Sequence, residues 1–149
     1  MKEKTPTSIF YVDDDVDDLD FFNEVATEIN EPVSLFEEGD KLLQQLQNPP
    51  PFASVIFLDL NMPVKSGFDV LREIKATMAI SHIPVFILTT SINPDDIKLT
   101  KKLGANLYIP KPTTIGGLKK AVKHVLSIDW NKFEISENEF VYTETKKTV

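Results

Sequence analysis

The chain has no cysteine among its 149 residues. Its absence excludes a disulfide framework, a thiol nucleophile and thiolate metal sites. No hydrophobic run approaches the roughly 18 residues that a membrane-spanning helix needs. The first residues, 1–6, also lack the apolar stretch of a secretion signal. We therefore expect a cytoplasmic protein that makes no membrane contact.

Positive charge is scarce as well. The chain has 16 Lys and Arg against 23 Asp and Glu, a formal net charge of −7. Since nucleic-acid-binding proteins present basic surfaces, we expect no nucleic-acid partner. The hydrophobic share of 42% is ordinary for a globular protein, and the length suits one domain with a full core.

Short apolar runs and helical repeats alternate along the chain. Strands are predicted over 9–12, 33–36, 55–58, 85–88 and 107–109. Helices are predicted over about 16–29, 40–47, 67–78, 93–104 and 114–125. This order, β-α repeated five times, predicts an α/β fold: a doubly wound parallel sheet with helices on both faces.

Several residues indicate where helices begin and end. Asp40 is expected to cap the second helix, and Met78 to lie on the apolar face of the third. Asn93 followed by Pro94 predicts the start of the fourth helix, and Gly104 its end. Thr113 or Thr114 is expected to start the last helix.

Acidic residues follow two of the predicted strands. Asp13 and Asp14 come directly after the first strand, and Asp59 follows the third. The carboxyl ends of parallel strands share one edge of a sheet, so these acids are expected to meet there. Such an all-oxygen cluster suits Mg²⁺, which would offset the mutual repulsion of the carboxylates. The alternative is that residues 13–15 only cap the first helix.

Two further side chains are expected at the same edge. Asp59 can attack phosphorus to form an acyl phosphate. Lys111 and Thr89 could then neutralise and hydrogen-bond the phosphoryl oxygens, because phosphoryl transfer depends on alignment and charge. Taken singly, Lys111 could be a surface cation and Thr89 a core hydroxyl bonded to backbone.

The motifs together resemble a known family. Over about residues 8–128 the chain is similar to a response-regulator receiver domain of bacterial two-component signalling, of the single-domain chemotaxis-regulator kind. The matching residues, in chain order, are Tyr11-Val12-Asp13-Asp14, Leu58-Asp59-Leu60-Asn61-Met62-Pro63, Gly67, Leu88-Thr89-Thr90, Gly104-Ala105, Tyr108 and Lys111-Pro112. The resemblance implies a flavodoxin-like three-layer sandwich with strand order 2-1-3-4-5.

The resemblance also implies a role for each site residue. Asp59 would accept a phosphoryl group from a histidine kinase or a phosphotransfer protein, so the chain would be a signalling phosphoacceptor and not an enzyme. Thr89 and Lys111 would contact that group. Tyr108 would be a switch residue together with Thr89, unless it is an ordinary half-exposed aromatic. The residues implied to hold Mg²⁺ are Asp13, Asp14, Asp59 and, through its backbone carbonyl, Asn61.

Further residues around this site carry specific expectations. The resemblance implies a cis bond between Lys111 and Pro112. Thr90 stands where the family usually has a smaller residue, and its bulk could restrict access to the acyl phosphate. The additional acids Asp15, Asp17 and Asp18 are interpreted as a solvated first helical turn.

The output is expected to run through protein contacts. We expect a receiver domain over 1–129 that signals through the face formed by 94–128, to a partner protein or in a homodimer. Residues 130–149 are expected to form a C-terminal extension and not an output domain. Trp130, Phe133 and Phe140 would pack on the domain or on a neighbouring chain, unless the extension has no role in the fold.

Two other classes of protein share some of these residues. A phosphatase of the haloacid dehalogenase type also uses a strand-end Asp, a hydroxyl and a Lys. It would need a further acidic pair after the Lys, whereas Pro112-Thr113-Thr114 follows Lys111, and it would leave Asp59 without a role. A receiver-like binding module that is never phosphorylated would not need the complete set of site residues.

Overall fold

The computed structural model describes residues 8–132 and 139–143, and strands alternate with helices through the first of these ranges. The elements are β1 (Ile9–Val12), α1 (Val16–Glu28), β2 (Val33–Phe36), α2 (Gly39–Gln47), β3 (Val55–Leu58), α3 (Gly67–Ala76), β4 (Val85–Thr89), α4 (Pro94–Leu103), β5 (Leu107–Pro110) and α5 (Ile115–Leu126). The predicted order of five β-α units is confirmed.

The five strands form one parallel sheet in the order β2-β1-β3-β4-β5. Ile9 pairs with Val33 on one side and with Val55 on the other, so β1, β2 and β3 begin at the same register. Strands β1, β3 and β4 are buried throughout, as expected for apolar runs that are covered on both faces. The predicted fold class and strand order are confirmed.

The core consists of two layers, one on each face of the sheet. Alternate residues of a strand point to opposite faces, so Phe10 and Val12 join the layer under α2, α3 and α4. Ile9 and Tyr11 join the layer under α1 and α5. A row of aromatic rings crosses this second layer with centroids 4.5–5.3 Å apart: Tyr11, Phe22, Phe57, Phe86 and Trp130.

Most of the predicted helix ends are confirmed. The Asn93 side chain accepts a hydrogen bond from the backbone of Asp95, with Pro94 in the first turn. Gly104 ends α4 at φ 106°, the left-handed conformation that favours glycine. Thr114 is the residue that caps α5.

Two local predictions are wrong. Glu38 is the N-cap of α2 and its side chain makes no capping bond, whereas the Asp40 carboxylate lies 3.5 Å from Lys65 Nζ. The third helix stops at Ala76, because Thr77 leaves helical geometry and its hydroxyl bonds to the carbonyl of Glu73. Met78 is therefore 89% exposed and does not belong to the apolar face.

Part of the C-terminal region packs on the sheet. The ring of Trp130 lies 5.0 Å from that of Phe86, and Phe140 is buried. Both packing predictions are confirmed, while Phe133 lies outside the described residues. The domain boundary at residue 129 stays a prediction. In the described ranges no helix has the length and hydropathy to cross a membrane.

Candidate acidic site at the carboxyl end of the sheet

The predicted site residues stand at the ends of adjacent strands. Backbone hydrogen bonds extend the sheet by one residue at each of these ends. The Asp59 amide donates to Val12 O at 3.2 Å, and the Lys111 amide donates to Thr89 O at 2.8 Å. Asp13 is fixed in the same way, because its amide donates to Phe36 O at 3.0 Å. The sheet thus places these residues along one edge.

Three carboxylates meet at this edge. Oxygen atoms of Asp13, Asp14 and Asp59 all lie within 4.8 Å of one another. Asp13 and Asp59 are 0% and 5% exposed, whereas Asp14 is open to solvent. A cluster of oxygen donors with one accessible member has the chemistry that Mg²⁺ prefers. Asn61 is exposed at the start of the loop after β3.

The ammonium of Lys111 lies among these acids. Its Nζ is 2.6 Å from Asp18 Oδ2, 2.8 Å from Asp13 Oδ2 and 3.9 Å from Asp59 Oδ1. Burial lowers the pKa of the ammonium, but hydrogen bonds to Asp13 and Asp18, together with the charges of Asp59 and Asp13, outweigh burial and raise it. Lys111 is therefore a fixed positive charge that is closer to Asp18 than to Asp59.

Asp18 belongs to the site, and its interpretation as a solvated acid is wrong. It lies in the first turn of α1, whose N-cap is Asp15, and its carboxylate contacts Lys111, which follows β5. Asp15 and Asp17 are exposed, as expected. No local sequence signal identifies Asp18, because Asp17 shares the same first turn and the partner Lys111 lies 93 residues away.

Tyr11 is a second residue that sequence reasoning missed. Its buried hydroxyl donates a hydrogen bond to Asp13 Oδ2, and burial raises the pKa of the phenol. The Asp15 amide donates to the other oxygen, Asp13 Oδ1, at 2.9 Å. Because side chains two apart in a strand share a face, the spacing of Tyr11 and Asp13 would have predicted this contact.

The surroundings of Asp59 disfavour its ionised form. Burial is the largest cause that raises its pKa, to about 6, and the charge of Asp13 adds to it. Lys111, a hydrogen bond with Thr89 and the Leu60 amide, 2.9 Å from Asp59 Oδ1, act in the opposite direction. These three groups do not fully offset burial and the charge of Asp13, so the pKa stays raised. A nearby cation would therefore stabilise the ionised carboxylate.

The backbone of Gly67 packs directly against the backbone of Asp59. Its amide donates to Leu60 O at 2.9 Å, which ties the start of α3 to the end of β3. A Cβ atom at Gly67 would lie 2.2 Å from the carbonyl oxygen of Asp59. Only glycine permits this approach of the two backbones.

Tyr108 is connected to Thr89 through a short path. Its side chain is 0% exposed, so a half-exposed aromatic is the wrong description. The Tyr108 hydroxyl donates to Ser91 O at 2.9 Å, and the Ser91 amide lies 3.4 Å from Thr89 Oγ1. Thr89 itself is buried beside Asp59. The two residues predicted to act as the switch are thus linked by one intervening residue.

The implied cis bond before Pro112 is wrong for this structure. Among the described residues the cis peptide bonds are Pro49–Pro50 and Pro50–Pro51. The preference between the two isomers before proline is small, about 0.5–1 kcal/mol, so local packing decides it.

Thr90, whose bulk was expected to restrict access to the acyl phosphate, is exposed at the rim of the site.

Comparisons with known proteins agree with this geometry. The family model described as response regulator receiver domain matches residues 9–123. Response regulator Rcp1 of Synechocystis sp. is 33% identical over 129 residues, which cover 82% of this chain and 88% of that protein. A probable cyclic di-GMP phosphodiesterase of Vibrio cholerae is 30% identical over 145 residues. That match covers 97% of this chain but 32% of the relative, so the chain spans about a third of that protein's length.

The fold comparison gives the same result. The crystal structure of the Mn²⁺-bound form of Rcp1 matches with a TM-score of 0.73 and 31% identity, covering 87% of this chain and 98% of that one. That relative holds a divalent metal ion, and the present chain has an acidic cluster that could hold one. The family match covers well over half of the chain. The chain therefore belongs to the response-regulator receiver domain family, whose members are signalling phosphoacceptors of two-component systems.

Proposed function

We propose that Asp59 is the phosphoacceptor of this receiver domain. The observation that carries the proposal is the surroundings of Asp59, a buried carboxylate beside two other acids, one ammonium and one hydroxyl. The donor would be a phosphohistidine on a histidine kinase or on a phosphotransfer protein. This position for the phosphoryl group agrees with the family membership of the chain.

The transfer is a displacement at phosphorus. An oxygen of the Asp59 carboxylate forms the new O–P bond while the P–N bond to the donor imidazole breaks. The imidazole keeps the electron pair of the broken bond and takes up a proton. Because this reaction needs positioning and charge neutralisation more than covalent help, Lys111 and Thr89 would stabilise the equatorial phosphoryl oxygens.

A divalent ion fits beside Asp59. Asp13, Asp14 and Asp59 supply the carboxylates, and the backbone carbonyl of Asn61 is the fourth proposed ligand. Mg²⁺ in such a site neutralises charge that develops on the transferred group. Tyr11 and the Asp15 amide hold the Asp13 carboxylate in a fixed orientation, which prepares it to bind the ion.

The phosphorylated form would signal through the face formed by 94–128. A phosphoryl group adds charge of about −1.5 to −2 and strong acceptor oxygens beside Thr89. Contacts that exist in one state only shift the population toward that state. The path from Thr89 through Ser91 to Tyr108 leads from the site to this face. The chain would act as a signalling module whose own chemistry is limited to self-phosphorylation and self-dephosphorylation.

The decisive experiment is labelling with acetyl phosphate and Mg²⁺. The intact protein should gain one phosphoryl group, located on Asp59 by peptide mass spectrometry, and a metal chelator should prevent it. The Asp59→Asn variant should stay unlabelled, whereas Asp17→Asn, an exposed acid of the same charge, should label normally. A label that persists in Asp59→Asn would overturn the assignment.

The same experiment tests the two other classes. A phosphatase of the haloacid dehalogenase type would leave Asp59 unlabelled and would release phosphate equally well as the Asp59→Asn variant, whereas a receiver carries its acyl phosphate on Asp59. A binding module that is never phosphorylated would gain no label under any of these conditions.

A further inference from the structure

The outer edge of β5 is covered by a segment from the C-terminal region, residues 139–143. The Tyr108 amide donates to Phe140 O at 2.9 Å, and the Tyr142 amide donates to Tyr108 O at 2.8 Å. Val141 forms a parallel bridge with Tyr108. Both backbone groups of Tyr108 that face away from the sheet are thus bonded to this segment, which we call the edge segment.

Side chains anchor the edge segment between α4 and α5. Phe140 is 3% exposed, with its ring centroid 6.3 Å from that of Tyr108. Lys101 of α4 places its ammonium 5.4 Å from the centroid of the Phe140 ring, within the range of a cation–π contact. On the other side the ring of Tyr142 lies 5.3 Å from that of His124 in α5.

The helices beside this edge carry basic residues, and the sequence that contains the edge segment is acidic. The last turn of α4 carries Lys101 and Lys102, and the last turn of α5 carries Lys123. The sequence around the segment, Glu137-Asn138-Glu139-Phe140-Val141-Tyr142-Thr143-Glu144, is acidic and contains no cation. The edge therefore suits an extended acidic peptide with an aromatic residue beside Tyr108, which would bind by strand addition.

We propose that the edge segment is an internal competitor for the output face. It occupies the β5 edge in the unphosphorylated protein, and an extended acidic peptide of a partner must displace it in order to bind there. The inference rests on the proposed function in one respect, that 94–128 is the face which the partner contacts. It also assigns a role to part of the C-terminal extension.

Amide exchange of Tyr108 measures whether the segment is docked. Its N–H has the Phe140 carbonyl as its partner, so it should be protected in the full-length unphosphorylated protein. Phe140→Ala should speed its exchange by about tenfold or more, since local opening controls such protection. Phe52→Ala removes the same side chain where it is 69% exposed and should change nothing. Unchanged protection of the β1 and β3 amides would show that each variant is folded.

Two results would overturn the docked arrangement. One is rapid exchange of the Tyr108 amide in the wild-type protein. The other is protection that disappears on dilution, since a second copy of the chain would then occupy the edge.

Competition is measured with a synthetic peptide that copies residues 137–145. The peptide should bind the full-length Phe140→Ala protein and restore protection of the Tyr108 amide. Its affinity for wild-type protein should be lower by about tenfold or more, because the internal segment occupies the same edge. A peptide with Ala in place of the phenylalanine should bind neither protein. Equal binding to both proteins, or no binding to the variant, would contradict the proposal.

These measurements are independent of Asp59. All are made without a phosphoryl donor, and Phe140→Ala should still be labelled once on Asp59. If Asp59 were not labelled while the exchange and peptide results held, the edge segment would remain a competitor but the proposed phosphoacceptor would be wrong. If Asp59 were labelled but the peptide results failed, the edge segment would not be a competitor and the proposed phosphoacceptor would stand.

Discussion

The acidic pocket and the covered edge of β5 are built on opposite principles. In the pocket, two buried carboxylates share one ammonium, and the pKa of Asp59 remains raised. At the edge, Tyr108 has a partner for its amide, its carbonyl and its hydroxyl. The pocket therefore keeps a carboxylate whose charge is not fully compensated, as the proposed cation and phosphoryl sites require, whereas the backbone and hydroxyl groups of Tyr108 at the edge are all hydrogen-bonded.

This difference separates the effects that substitutions should have. Changes in the pocket should alter phosphoryl chemistry, and some should stabilise the metal-free protein because they remove repulsion. Changes at the edge should alter docking and leave labelling of Asp59 intact.

Lys111→Met should slow labelling of Asp59 by about 10- to 100-fold, since a hydrogen bond to a charged group contributes about 1.5–3 kcal/mol. The rate with acetyl phosphate measures this effect. Lys119→Met removes the same charge from the surface pair with Glu28 and should leave the rate unchanged. Protection of the Tyr108 amide should be the same in both variants. A loss of that protection in Lys111→Met would show that the pocket and the edge are not separate.

Asp59→Asn should stabilise the metal-free protein at neutral pH. The unfolded chain loses this proton near pH 4 and the folded protein near pH 6, so the ionised carboxylate destabilises the fold above that window. The gain in free energy of unfolding should approach about 2–3 kcal/mol at about pH 7 and vanish near pH 4. Urea unfolding at both pH values measures it, with Asp17→Asn as the control. An equal gain at both pH values would rule out the titration of Asp59 as its cause.

Gly67→Ala should destabilise the protein by about 2 kcal/mol, because the added methyl group meets the Asp59 carbonyl and the backbone must move. Gly116→Ala is the matched change in α5, where no atom lies within 4 Å of the added carbon. It should stabilise the helix by up to about 1 kcal/mol. Thermal unfolding of both variants checks the contrast, and a stable Gly67→Ala protein would contradict the close approach.

Asp18→Asn should strengthen binding of beryllofluoride, a phosphoryl mimic, by about two- to fivefold. The ammonium of Lys111 is held by Asp18 at 2.6 Å, and a partly exposed pair of this kind contributes up to about 1 kcal/mol. Without that partner, Lys111 can move toward Asp59. Asp17→Asn, one residue away and without this contact, is the control. Weaker binding in Asp18→Asn would mean that Asp18 positions Lys111 for the phosphoryl group.

The sequence predicts the scaffold well because the scaffold depends on local patterns. The buried run Val55–Leu58 needs cover on both faces, and Asn93-Pro94 defines a helix start without help from distant residues. The convergence of Asp13 and Asp59 follows from parallel topology, because the carboxyl ends of the strands share an edge.

Apart from the local contact of Tyr11 with Asp13, the missed features depend on contacts between distant parts of the chain. Asp18 pairs with a lysine 93 residues away, so its role is not visible in a helix start that also suits exposed acids. The pairing of Phe140 with Tyr108 depends on where the chain returns after α5. Asp40 is not the cap of α2 because the helix already begins at Gly39, and its carboxylate lies 3.5 Å from Lys65 in the loop before α3.

We propose that one pocket holds both a divalent ion and the phosphoryl group on Asp59. A crystal structure of the protein with Mn²⁺ and beryllofluoride, using the anomalous signal of manganese, would locate both. We predict one manganese peak between Asp13, Asp14 and Asp59, with the beryllium bonded to the Asp59 carboxylate and fluorides contacting Thr89 and Lys111. A manganese peak elsewhere, or beryllofluoride bound away from Asp59, would contradict the account.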